Sequence, residues 1–143
     1  MLNKEMNVEN IILNNLKEYL TENSIFSPKV LPKSARGVSE FPTVLFRERS
    51  NANDLAHTSM DRTQVVNNIN AVVEIYTQDK VVGNTKYASK NVSDELKFLI
   101  FDFFDAYGAE RTGCDFAEYY NKEVDRLVIT YSYSVNSWNR KIN

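Results

Sequence analysis

The sequence predicts an α+β fold, a mainly antiparallel β-sheet flanked by two helices, and three observations lead there. Residues 7–22 and 85–106 repeat apolar side chains at helical spacing. The segments 69–76 and 126–135 alternate apolar and polar residues at period two. The elements follow the order helix, strand, strand, helix, strand, strand, with strands grouped in pairs around a helix rather than alternating with helices as in a parallel α/β fold. At 143 residues, 43% hydrophobic and 25% charged, the chain is long enough to form one domain over 1–143 with a single core, and its composition is not that of a disordered segment.

In the first helix, Val8, Ile12, Leu16 and Tyr19/Leu20 form the apolar stripe and Ile11 and Leu13 widen it. Asn3 or Asn7 is a candidate cap, and Asn23 and Ser24 end the helix. A connector follows over 27–41, where Pro28 and Pro32 oppose regular structure and Gly37 permits a turn. Its cations Lys29, Lys33 and Arg36 make it locally basic. TVLFRER, residues 43–49, is the first strand, and SNANDLAHTSMDRT, residues 50–63, is a polar loop of a length usually tied to function. The next strand lies within VVNNINAVVEIYTQD, residues 65–79, with Gly83 marking its end. In the second helix the predicted core stripe is Ala88, Val92, Leu96, Leu99 and Phe103, with Gly108 placed for a C-terminal cap. Strands over 113–120 and 126–135 then form a hairpin about NKEVD, and the last one should leave one face of the sheet wetter. The basic tail, 137–143, is expected to be loose.

Several function classes find no support in the sequence. A net charge of −2 gives no bulk electrostatic case for nucleic-acid or anionic-membrane binding. No apolar run approaches the roughly 20 residues of a membrane span, and the N-terminus lacks the pattern of a signal peptide. Cys114 is the sole cysteine, which excludes an intrachain disulfide and fits a reducing cytoplasm. Its neighbours Asp115 and Glu118 disfavour a thiolate, so a buried, inert thiol is expected. His57, the one histidine, sits among Asp54, Ser59 and Asp61 without a nucleophile motif, and reads as a solvated loop residue. The carboxylates Asp102 and Asp105 have no histidine partner and no calcium loop around them. No catalytic, cofactor or metal residue is assigned, and an enzyme is not expected.

Surplus apolar surface is more informative. Phe98 and Phe101 fall on the charged side of the second helix, beside Asp94, Lys97 and Asp105. Either the first helix packs across them or they form a subunit interface. The 64–78 stretch could span on the order of 50 Å, longer than a small domain can cover. Its asparagines, Asn67 and Asn68, therefore mark where the strand is expected to leave its own core for shared surface, together with Asn53, Asp54, His57, Met60 and Arg62 of the preceding loop.

In order and flavour the chain resembles the tail terminator, or tail completion, proteins of tailed bacteriophages and their prophage relatives. The resemblance lies in the N-terminal helix, FPTVLFRE, a polar loop, VVNNINAVVEIYTQDK, the helix with YASKNVSDELKFLIFDFF, and the hairpin YGAERTGCDFAEYYNKEVDRLVITYSYSV, roughly residues 8–136. It implies a structural virion protein of the tail's neck region, assembled in the host cytoplasm. It further implies a ring, commonly a hexamer, that ends polymerisation of the major tail tube protein and offers a surface to the head-completion or neck protein. DNA would pass through the channel without sequence recognition, and no membrane would be involved. The alternatives are a head-completion or neck connector protein, or a small cytoplasmic binding module using the 50–63 loop.

Overall fold

The computed structural model of the chain describes residues 8–32, 38–49 and 68–134. Helix α1 spans Val8–Asn23 and strand β1 Lys29–Pro32; β2 is Thr43–Glu48 and β3 Asn68–Thr77. A short pair, β4 (Lys80–Val82) and β5 (Thr85–Tyr87), precedes helix α2, Ser89–Ala106, and the chain closes with β6 (Glu110–Ala117) and β7 (Asp125–Ser134). The main sheet has five strands in the order β1-β2-β3-β7-β6, all neighbours antiparallel except β1 and β2. The architecture is the α+β class expected from the sequence, with both helices on one face of a mainly antiparallel sheet.

Strand alternation decides which residues meet the helices. In β3, Ile69, Ala71, Val73 and Ile75 point to the helix side, and register sets Ile75 opposite Leu127 and Val73 opposite Ile129 in β7. Phe46 and Val44 of β2 continue this layer. Above it lie Ile12, Leu16 and Leu20 of α1, and Val92, Leu96, Ile100, Phe103 and Phe104 of α2. Phe104 is at the centre, stacked on Tyr131 at 4.3 Å and tilted against Phe46.

The stripe on α2 is rotated from the predicted one. Ile100 and Phe104 are fully buried, whereas Leu99 is only half-buried and Ala88 precedes the helix. The reason is that α2 packs on two surfaces: its Ile100/Phe104 line faces the sheet and its Phe103 line faces α1, where Phe103 meets Tyr19 at 5.6 Å.

Two more corrections concern short elements. Residues Lys29–Pro32, within the predicted connector, form an edge strand parallel to β2. Pro32 is tolerated there because it ends an edge strand, where a missing N–H breaks no interior ladder. Residues 80–87, read as strand end and helix start, form a hairpin whose two-residue turn puts Gly83 at φ +61°, the residue that a type II′ turn requires first. That hairpin displaces the start of α2 to Ser89 and brings its cap from outside: Asp79 Oδ1 accepts the Ser89 N–H at 2.9 Å. The other end follows the sequence. Gly108, at φ +78°, lets its own N–H reach Asp105 O and the Ala109 N–H reach Phe104 O, a Schellman closure.

The opposite face of the sheet is divided. Toward β6 it is wetter, with Thr112 and Asp115 exposed and Thr130 and Ser132 half-buried. Toward β1 it carries a second small core of Leu45, Tyr76 and Val124, against which Leu31, Val38, Phe41 and Tyr119 pack.

Candidate subunit-contact surface

Strand β6 is an edge of the sheet, and α2 runs alongside it in the opposite direction. Near the start of α2, Lys90 lies 5.9 Å from the Phe116 ring of β6. Further along α2, Arg111 from the start of β6 lies 3.8 Å from the Phe101 ring, while Lys97 sits 4.7 Å from Phe98. Phe98 and Phe101 meet edge to face at 5.9 Å. The seam is thus a row of aromatic rings, each covered by one cation.

Its exposure is high for such residues. Phe98 is 56% exposed and Phe116 52%, and Phe101 is half-buried beneath Arg111. The first helix does not pack across them, because α1 lies on the Phe103 flank. Of the two explanations for Phe98, cover by α1 is therefore overturned. Cys114 lies between these rings and the core; burial raises its thiol pKa, and Lys97 and Arg111 oppose that shift more than Asp115 adds to it. The thiol is half-buried rather than buried, and cations of the seam are its strongest charged influences.

Phe116, Lys90 and Arg111 were not singled out in the sequence. Their signal was faint: Phe116 shares with Cys114 the inward parity of a strand, but nothing in its composition says that this strand is an edge. The β-bulge between Arg111 and Gly113 bends the outer end of that edge, and a Cβ added at Gly113 would come within 2.8 Å of Thr130 Oγ1. At the other loop residues the comparison stops: Asn53, Asp54, His57, Met60, Arg62 and Asn67 lie outside the described residues. Asn68 is paired with Ser134 and Asn70 with Ser132, so the strand is still in its own sheet at Asn68 and has not left the domain there.

A second constellation lies on the other face of the sheet. Glu74 is the only charged side chain buried among the described residues, 3% exposed. Arg126 Nε donates to its Oε1 at 2.9 Å, and the Tyr76 hydroxyl donates to the same oxygen at 2.6 Å. Arg126 also donates to Glu118 O, which ties the 118–124 turn to the sheet. Burial and the carboxylate together push the Tyr76 phenol well above the ordinary tyrosine range. A carboxylate so committed to internal donors is a structural tie rather than a general base.

A cavity of about 520 Å³ opens between the helices, lined by Asn15, Glu18, Tyr19 and Glu22 of α1 and by Asp102, Phe103, Ala106 and Tyr107 of α2. A more polar one of about 460 Å³ lies beside Asp79, Lys122 and Asp125. Among the described residues no group of three or more His, Cys, Asp or Glu side chains is placed to hold a metal ion, and no helix is long and apolar enough to cross a membrane. No protein-family model matches the chain, and no curated protein matches it.

Proposed function

We propose that this chain is a structural, ring-forming tail terminator that ends polymerisation of a phage tail tube and offers a surface for head–tail joining. The observation that carries the reading is the α2–β6 seam: two phenylalanines more than half exposed, grouped on one helix and the edge strand beside it, whereas the other exposed large apolar residues, Ile25, Val81 and Tyr120, lie outside the two helices and the main sheet. Such a surface is suited to contact with another subunit. The α+β class agrees with the fold implied by the resemblance, a sheet flanked by helices. The mechanism in this reading is geometric: each ring subunit copies one tube-subunit contact and lacks the next, so the tube stops.

Electron microscopy of purified tail tubes mixed with the protein tests this. The expected result is a ring on one end of each tube and no further elongation when tube subunits are added. Tubes that stay bare and keep growing in a molar excess of the protein would sink the reading.

A further inference from the structure

We propose that the seam of one copy seats on the groove between α1 and α2 of a second copy, so that the chain self-assembles head to tail. The inference rests on the ring reading above and names the two surfaces that meet.

Charge and shape are complementary across a single helix. On the β6 flank of α2, the exposed rings of Phe98 and Phe116 are bordered by Lys90, Lys97 and Arg111. Asp94, bound to Lys97 at 3.4 Å, and Asp105 run along the helix crest. On the α1 flank the groove has an aromatic floor, Tyr19, Phe103 and Tyr107, and an acidic rim of Glu18, Glu22 and Asp102, with no cation lining it. The seam therefore presents protruding rings under positive charge, and the groove presents a concave aromatic surface under negative charge. Around the helix axis Lys97 lies about 140° and Phe101 about 100° from Asp102, with Phe98 on the crest about 40° from it, so the cations and the acidic rim face different directions and adjoin at Phe98. A patch that meets a different patch makes a heterologous contact, which closes into a ring when the rotation permits. Lys90 and Arg111 are exposed and have no ion pair shorter than 4 Å to an acid among the described residues, so no acid at that range neutralises the charge they hold over Phe116 and Phe101.

Charge reversal tests the pairing. A seam variant, Lys90→Glu with Arg111→Glu, and a groove variant, Glu18→Lys with Glu22→Lys, are weighed by sedimentation velocity, alone and mixed, with and without tail tubes; circular dichroism checks folding. Each variant alone is expected to bind its own copies at least ~100-fold more weakly, because like charges then face each other. An equimolar mixture is expected to regain the wild-type mass, seam and groove variants alternating. Should the seam variant fail to fold, Lys90→Glu with Phe98→Glu replaces it. The inference is overturned if the groove variant assembles like wild type, which would indicate seam-on-seam contact or another partner, or if the folded variants do not rescue each other. Binding of wild-type protein to tubes is scored in the same runs, so a terminator that assembles through other surfaces is distinguished from a protein that assembles as described and ignores tubes.

Discussion

Two glutamates of the sheet, Glu74 buried and Glu48 half-buried, show how the same residue type is used in different ways. Glu74 is buried and bound to Arg126, so truncating Arg126 leaves the buried carboxyl group without its cation. Arg126→Ala is expected to cost about 2–4 kcal/mol in urea unfolding, since breaking a buried pair is expensive but Arg126 itself is 29% exposed. A loss below about 1 kcal/mol would show that water reaches Glu74. Glu48 accepts from the Tyr133 hydroxyl at 2.8 Å. Burial first, and then the neighbouring Glu9, raise its pKa above 4.5, while the hydrogen bond from the Tyr133 hydroxyl opposes them. A carboxyl whose pKa is higher in the folded state stabilises the fold when protonated. That contribution is complete below pH 4.5 and is lost as the pH rises through the folded value. Glu48→Gln should therefore gain stability relative to wild type as the pH is raised from about 4 to 7, measured by thermal melts across that range. A constant difference would mean that Glu48 titrates alike in both states.

At the scale of elements, the termini of α2 give the most direct check. Its first turn borrows Asp79 from the β3–β4 connection, so Asp79→Ala should lower stability by about 1 kcal/mol, as for the loss of a helix cap. No change in the melting midpoint would mean that another group caps the helix. How much of each element was legible followed from its physics. The long helices and β7 are readable because their burial is periodic, and β3 because its apolar residues recur at every second position, although both of its faces are buried over Ala71–Thr77. β1 was not, because four residues ending in proline carry no alternation to detect, and its existence depends on β2 lying beside it. The β4–β5 hairpin is not legible because KVV and TKY are too short to show a period, and Gly83, expected to mark the end of the long strand, instead turns this hairpin while β3 ends at Thr77. Phe104 was missed as a core residue because α2 packs on both the sheet and α1, which widens its apolar arc beyond a single stripe. Of the candidate interface, Phe98 and Phe101 were legible as rings on a charged helix face. Phe116 was not, because the place of β6 at the edge is a property of the whole sheet.

Across the whole molecule, the residues that hold the fold are distinct from those proposed to serve assembly. Leu96→Ala, inside the core, should cost about 2–5 kcal/mol. Phe98→Glu should leave stability within about 0.5 kcal/mol of wild type, because the ring is already 56% exposed. The same substitution places a carboxylate in the contact through which subunits are proposed to meet. Native mass spectrometry of wild-type protein and the Phe98→Glu variant, each with and without tail tubes, tests the central claim most directly. A closed ring of about six subunits is expected for wild type, free or on the tube, and a folded monomer for the variant. A wild-type protein that remains monomeric and leaves tubes unbound, or a variant ring of unchanged mass, would contradict it.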